Sequence, residues 1–438
     1  MNSSESSTIQ SPEQASKQHQ NQSTIDILGN ISKEQFLKEY WQKKPLVIRQ
    51  AFPDFSPLIP SDELAGMSLE EEVESRIIME NGPDSPWQMI SGPFEEDVFA
   101  TLPENKWTLL IQGVDQWVPE AADLLQNFNF IPNWRIDDLM ISFATDGGSV
   151  GPHYDQYDVF LLQAEGQREW RIGQMCSEQD AFLKETKLRI LADFQETERW
   201  VLEPGDMLYL PPRLAHYGIS QGNCQTYSIG FRAPSQSELM HSLVDQIDAS
   251  SNEDQRYGDP DLKLQTNSGE ISDSALQQVR EFLITALNDP TLLSDTIGKL
   301  MTEPKYPQPN TAEDPQPNTA EDSCYEASLD NNQNKDSALS ITDLRSFIED
   351  IDISRELHSR FAYHQSGKII NFYAGGKVFS LGDTALEFAK YLTQTRHYNG
   401  TDLLSFCIDE TSEKLLVNLW SGGFFYEEDV EEGIEEEQ

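Results

Sequence analysis

Two periods alternate along this chain. A helix buries residues three and four apart, and a strand buries every second residue. Ser32-Lys-Glu-Gln35 reads as a capping box ahead of Phe36, Leu37 and Tyr40, which predicts a helix within Ile25 to Tyr40. Trp41-Gln-Lys-Lys-Pro45-Leu-Val-Ile48 reads as a turn into a strand. Leu64, Leu69, Val73 and Ile77 give residues 61 to 78 an acidic helical pattern. A strand is predicted over Trp107 to Gln112, a helix over Glu120 to Phe128, and a strand over Leu139 to Thr145. The run Asp146-Gly-Gly-Ser-Val-Gly151 follows. It is not a phosphate loop, because no Lys-Ser/Thr follows and no helix begins there, so it reads as a flexible lip. Beyond a strand ending near Arg232, amphipathic helices are predicted over Ser235 to Ala249, Ser274 to Leu287 and Leu292 to Met301.

The periodicity then stops. Pro307-Gln-Pro-Asn-Thr-Ala-Glu-Asp314 recurs unchanged as Pro315 to Asp322, and a Pro-, Asn- and acid-rich repeat cannot build a core. A small final domain resumes with a helix at Ile341 to Ile348, a hairpin pattern from Phe361 to Phe379 around Gly367 and Gly375-Gly376, a helix at Thr384 to Thr393, and a helix from Leu415 running to a Gly-Gly turn and Phe425. The Ser-, Gln- and Asn-rich start reads as disordered, with His19 a bystander, and Glu427 to Gln438 reads as a solvated acidic tail.

Composition narrows the function. The chain has 438 residues, 37% of them hydrophobic, and a net charge of −44, which suits globular domains diluted by disordered segments. Such acidity argues against nonspecific nucleic-acid or anionic-membrane binding and favours a basic partner. Cys176, Cys224, Cys324 and Cys407 lie far apart with no Cys-x-x-Cys, so neither a disulfide framework nor a zinc site is expected and a reducing cytoplasm is. No run approaches the roughly eighteen apolar residues of a membrane span.

Two segments carry the chemistry. The first is Gly151-Pro-His153-Tyr-Asp155-Gln-Tyr-Asp158 leading into the β-prone Val159-Phe-Leu-Leu162. Read as one strand, it points His153 and Asp155 to the same face. The second is Glu203-Pro-Gly205-Asp206, the apolar Met207 to Leu210, a Pro-Pro stop, and His216. If the two neighbour each other in a barrel, two histidines and a carboxylate form the facial triad of non-haem Fe(II) oxygenases. Arg168, in a β-prone run after the turn-like Glu165-Gly166, would need an anion if buried, and a dicarboxylate suits a guanidinium. His241 reads as an ordinary helix residue.

The runs Trp134 to Phe143, Gly147 to Phe160 and Tyr227-Ser-Ile-Gly-Phe-Arg-Ala-Pro234 closely resemble the bacterial JmjC-type ribosomal oxygenases, over roughly residues 26 to 428 and most strongly from 130 to 234. The resemblance implies an α+β protein: a double-stranded β-helix (the cupin/JmjC jelly roll), a helical dimerisation region and a C-terminal winged-helix-like domain. The expected boundaries are 1–25 disordered, 26–234 catalytic, 235–303 dimerisation helices, 304–337 linker, 338–428 winged-helix-like and 429–438 acidic tail. It implies Fe(II) on His153, Asp155 and His216, with 2-oxoglutarate and O2 as cosubstrates and Arg168 on the far carboxylate. It further implies hydroxylation at the β-carbon of an arginine in a large-subunit ribosomal protein, the sixteenth, by a cytoplasmic homodimer with no direct DNA contact. Asp158 and Asp138 are candidates to hold the substrate guanidinium. The alternatives are a JmjC demethylase, a cupin enzyme without the cosubstrate, and a non-enzymatic ribosome-assembly scaffold. The insert after residue 303 and the acidic tail depart from the family without touching these motifs.

Overall fold

A computed structural model describes residues 26–80, 87–184, 186–250, 256–264, 267–305 and 339–428. His19, Cys324, the tandem repeat and residues 429–438 of the acidic tail lie outside the described residues, while Glu427 ends a strand and is not part of a solvated tail. The chain divides into two compact units, Met1–Ser242 and Leu243–Gln438.

The first unit opens with helix Lys33–Glu39, whose N-cap Ser32 accepts a hydrogen bond from the Gln35 backbone N–H, the Ser32 half of the expected capping box. Nine strands share one hydrogen-bonded network: β1 (Leu46–Ile48), β2 (Ser75–Glu80), β3 (Trp87–Ser91), β4 (Trp107–Ile111), β5 (Ile136–Ala144), β6 (Val159–Met175), β7 (Glu198–Leu202), β8 (Met207–Leu210) and β9 (Leu214–Phe231). Their order is β1-β8-β6-β9-β5-β4-β2-β3, and β7 joins β6. Several expectations change. The helical pattern over 61 to 78 stops after Ser61–Met67, and Ile77 lies instead in β2, fully buried between β3 and β4. The expected turn at Glu165-Gly166 is a bulge: β6 continues through it, with Gly166 at φ +64° and register shifts against β9. A bulge lets one strand pair β8 with its first half and β7 with its second. The expected strand through His153 is irregular chain, and regular structure begins only at Val159.

The glycine run is packed, not a flexible lip. A Cβ on Gly148 would lie 2.4 Å from the Trp107 carbonyl oxygen, and one on Gly151, at φ +81°, would lie 2.7 Å from Ile190. Glycine is needed here for close approach. Around this frame, Phe36, Phe128, Phe160, Tyr209 and Phe231 interlock as one aromatic core.

The second unit holds helices Asp273–Leu287 and Pro290–Thr302 and then a separate core. That core is built on two antiparallel three-stranded sheets. One is β11 (Phe361–Ser366), β12 (Ile369–Ala374) and β13 (Lys377–Gly382). In the other, β10 (Asp352–Arg355) lies between β14 (His397–Asn399) and β15 (Phe425–Glu427). Helices Ile341–Ile348, Leu386–Gln394, Gly400–Ser405 and Glu410–Ser421 accompany them.

Candidate metal centre

Backbone pairing brings the candidate ligands together. His153 and His216 exchange hydrogen bonds, N–H of His153 to the His216 carbonyl at 3.0 Å and N–H of His216 to the His153 carbonyl at 2.8 Å. The Arg213 N–H donates to the Asp155 carbonyl at 2.7 Å. The side chains converge accordingly. One ligand atom from each of His153, Asp155 and His216 lies within 4.8 Å of the others, and His216 Nε2 is 3.6 Å from Asp155 Oδ2. Among the described residues this is the one such group.

Both imidazoles are oriented from behind. Nδ1 of His153 lies 2.9 Å from the Gly151 carbonyl, and Nδ1 of His216 lies 2.9 Å from the Leu214 carbonyl. A carbonyl only accepts, so each Nδ1 carries the proton and each Nε2 keeps its lone pair for a metal. His216 is 3% exposed; burial, with His153 alongside, pushes its pKa down to about 4 and keeps it neutral. An N, N, O donor set suits Fe(II).

Arg168 is 5% exposed, and its Nη1 donates to Ser142 Oγ at 3.3 Å while its Nε has no partner. Its guanidinium stands 5.6 Å from the Trp170 ring, which in turn is 5.9 Å from the His216 ring. Trp170 Nε1 and Thr108 Oγ1 are also buried without partners. Thr108 pairs with Ala144, two residues from Ser142 on the same face of β5. Buried polar atoms are costly to leave unpaired, so this set fits an anionic, oxygen-rich cosubstrate. Sequence reasoning missed Ser142 and Thr108, whose only signal is a hydroxyl between two apolar neighbours, Ile141 and Phe143 for the one and Trp107 and Leu109 for the other.

The two substrate candidates part company. Asp158 is fully buried; it accepts from Tyr209 Oη at 2.6 Å and Gln42 Nε2 at 2.9 Å, with Arg135 at 3.8 Å. Its carboxylate is consumed inside the aromatic core, so its expected role in holding substrate is corrected to a structural one. Burial raises its pKa against those hydrogen bonds. Asp158→Ala should leave Tyr209 and Gln42 unsatisfied and cost on the order of 1–3 kcal/mol; a denaturant midpoint equal to the parent's would refute this. Asp138, 4% exposed, accepts from Gln112 Nε2 at 2.6 Å. It flanks Gly230 together with Tyr157. Asp155, then burial, then Asp138 and Asp137 raise the Tyr157 pKa, so its hydroxyl stays protonated among carboxylates.

Fold and cluster define a JmjC-type metal site, and the comparisons agree. The JmjC domain family model matches residues 123–239. The ribosomal protein uL16 3-hydroxylase of Escherichia coli K12 is 37% identical over 62% of this chain and 71% of the relative. A probable ribosomal oxygenase of Haemophilus influenzae is 36% identical over 59% and 65% respectively. The solved structure of E. coli YcfD superposes with a TM-score of 0.76 and 28% identity, covering 91% of this chain and 99% of that one. Another structure of that protein, at TM-score 0.73 and 29% identity over the same shares, is a complex with cobalt and 2-oxoglutarate. The chain belongs to the bacterial JmjC-type ribosomal oxygenases.

Proposed function

We propose that this protein is an Fe(II)- and 2-oxoglutarate-dependent oxygenase that hydroxylates the β-carbon of an arginine in ribosomal protein uL16. The carrying observation is the pair of Nδ1-tethered histidines closing on Asp155, with a buried, incompletely paired Arg168 reaching them through Trp170. Fe(II) held by His153, Asp155 and His216 would supply the redox chemistry that splits dioxygen, turns 2-oxoglutarate into succinate and carbon dioxide, and delivers one oxygen atom to an unactivated carbon. The chain's own residues bind and orient. Gly151 and Leu214 carbonyls fix the imidazoles. Arg168 anchors the far carboxylate, with Thr108 and Trp170 offering further donors. Apolar Val159, Leu161, Leu208 and Leu210 exclude water around them.

Asp138, beside Tyr157, is the side chain proposed to hold the substrate guanidinium. Asp138→Asn, which keeps shape and removes charge, should weaken peptide use by about tenfold or more, as loss of a charge-assisted pair does. The dependence on 2-oxoglutarate should stay unchanged; an equal fall in both would indicate general damage.

The class test measures succinate release with Fe(II), 2-oxoglutarate and oxygen, with and without a uL16 peptide, and mass spectrometry of the peptide. Peptide-stimulated succinate and a gain of one oxygen on arginine are expected. Succinate without that gain would remove the proposed substrate, and no succinate from iron-loaded protein would remove the oxygenase.

The proposal extends to assembly. Helix Asp273–Leu287 exposes Leu276, Val279, Phe282, Leu283 and Ile284, a face wide enough to pack on a second copy. This supports residues 235–303 as a homodimerisation region, and sedimentation at a dimer's mass is expected; a monomer at micromolar concentration would refute it. Residues 338–428 are proposed as the winged-helix-like domain after a linker at 304–337, with 26–234 catalytic. No described helix is long and apolar enough to cross a membrane, and the cytoplasm, where ribosomal proteins are met, is the proposed location.

A further inference from the structure

The sheet face that carries Ser142 and Thr108 continues to a second polar group. Along β5, Asp138, Met140 and Ser142 follow at two-residue spacing. Along β4 so do Thr108, Leu110 and Gln112, the last just past its end. Leu110 pairs with Ser142, and Ser142 meets Arg168. The face that holds Ser142 beside Arg168 therefore holds Asp138 four residues away, about 13 Å at the rise of a strand. β2 supplies a third member. Arg76 lies opposite Leu110, and the Gln112 N–H donates to the Glu74 carbonyl at 2.9 Å, which extends the same ladder.

These three side chains form a directed chain. Arg76 Nη2 donates to Gln112 Oε1 at 3.0 Å, and Gln112 Nε2 donates to Asp138 Oδ2 at 2.6 Å. A guanidinium only donates, so it fixes which end of the Gln112 amide meets Asp138. With the amide turned over, its carbonyl oxygen would face the carboxylate and repel it. Asp138 itself sits where β5 carries one extra residue against β9, since Ile136 pairs with Phe231 and Leu139 with Ile229. Asp115 holds this bulge by accepting from the Leu139 N–H at 2.8 Å. The other carboxylate oxygen of Asp138, Oδ1, faces Gly230, where a Cβ would lie 3.5 Å from it and 3.8 Å from the Tyr157 ring.

Arg76 contributes little as a structural residue. Beyond Gln112 it has a 3.7 Å ion pair with the exposed Glu74, and its Nε is buried with no partner. An exposed pair adds little stability, and a buried N–H left unpaired costs some. On charge alone Arg76 is also misplaced, because a cation beside Asp138 opposes a cationic substrate. We infer that Arg76 and Gln112 are positioning residues. Arg76 locks the Gln112 amide, and Gln112 locks Asp138 with Oδ1 turned toward Gly230 and Tyr157, where the substrate guanidinium docks. This rests on the proposal that Asp138 takes that guanidinium, and adds the two side chains that aim it. Both act through Asp138.

The test titrates the full-length, metal-loaded, oxygen-free protein with a uL16 peptide and, separately, with 2-oxoglutarate. The forms are the parent, Arg76→Met, Arg76→Lys, Gln112→Leu, Asp138→Asn, and Arg76→Met combined with Asp138→Asn. Arg76→Met and Gln112→Leu should each weaken the peptide by about tenfold, as misaligning one charge-assisted contact does, and leave 2-oxoglutarate binding unchanged. Arg76→Lys still donates to the amide oxygen and should recover part of the loss. With Asp138→Asn already present, Arg76→Met should change peptide binding by about twofold or less, because the two act as one unit. The sign is decisive, since a cation acting only through its charge would tighten the peptide when removed. Tighter or unchanged peptide binding in Arg76→Met, an undiminished loss on top of Asp138→Asn, or an equal fall for 2-oxoglutarate overturns the positioning. A second readout needs no substrate. The nuclear magnetic resonance signals of the Gln112 side-chain amide, assigned from Gln112→Leu, should move in Arg76→Met toward their place in Asp138→Asn. If they move while the parent binds no uL16 peptide, the uL16 reading fails and the positioning of Asp138 stands. If they stay in place, the positioning fails whatever the peptide does.

Discussion

His216→Ala is expected to lose both metal and turnover while leaving the fold in place. The separation is possible because two different parts of His216 do two jobs. Its backbone N–H and carbonyl form the reciprocal pair with His153, and alanine retains both. Its side chain supplies one of three ligands, and the remaining pair, His153 and Asp155, is partly exposed and is left without the third donor. Removing an outer partner of a metal ligand costs about 10–100-fold in affinity or activity, and removing the ligand itself should cost more. Elemental analysis after dialysis should find iron far below one equivalent, and succinate should fall to background, while circular dichroism and the denaturant midpoint stay near the parent's. Normal iron content with normal succinate would dissolve the triad. Lost iron together with a lost fold would show that the imidazole, 5.9 Å from the buried Trp170 ring, is a packing residue first.

How much of this was legible beforehand depends on whether the signal was local. Ser32 caps its helix through a hydrogen bond three residues away, and Ile341–Ile348 ends where its apolar stripe ends, so both could be read directly. The His153, Asp155 and His216 motif was legible as residue types, but the strand assumed to align the first two is absent; the alignment comes from the His153–His216 backbone pair and the Arg213 N–H, partners about sixty residues distant. Ile77 looked helical because an apolar period cannot distinguish a stripe on a helix from a strand buried on both sides. Asp158 shows the same limit for chemistry. A carboxylate three residues from a ligand looked poised for substrate, and only the fold reveals that Gln42 and Tyr209 close over it. The glycines at 148 and 151 suggested freedom, whereas the Trp107 carbonyl and Ile190 leave no room for a side chain.

Arg168→Ala should raise the 2-oxoglutarate requirement steeply and leave iron retention intact. The guanidinium belongs to no metal ligand; it contacts Ser142 and lies 5.6 Å from Trp170, so the cluster of His153, Asp155 and His216 keeps all three donors without it. What disappears is a buried cation whose Nε has no partner in the chain itself. A charge-assisted hydrogen bond is worth about 1.5–3 kcal/mol, and each 1.4 kcal/mol is tenfold, so the dissociation constant for 2-oxoglutarate should rise by about 10–100-fold. Calorimetric titration of the metal-loaded variant measures this without relying on turnover. Arg168→Lys separates charge from shape: a lysine restores the point charge but not the two-pronged fork, so partial recovery is expected. Removing an uncompensated buried charge should also leave the cosubstrate-free variant as stable as the parent or slightly more so. A variant that binds 2-oxoglutarate as the parent does would remove Arg168 from the site. One that fails to fold would mean that Arg168 is held by partners within the chain, and that the unpaired Nε carries no meaning for a ligand.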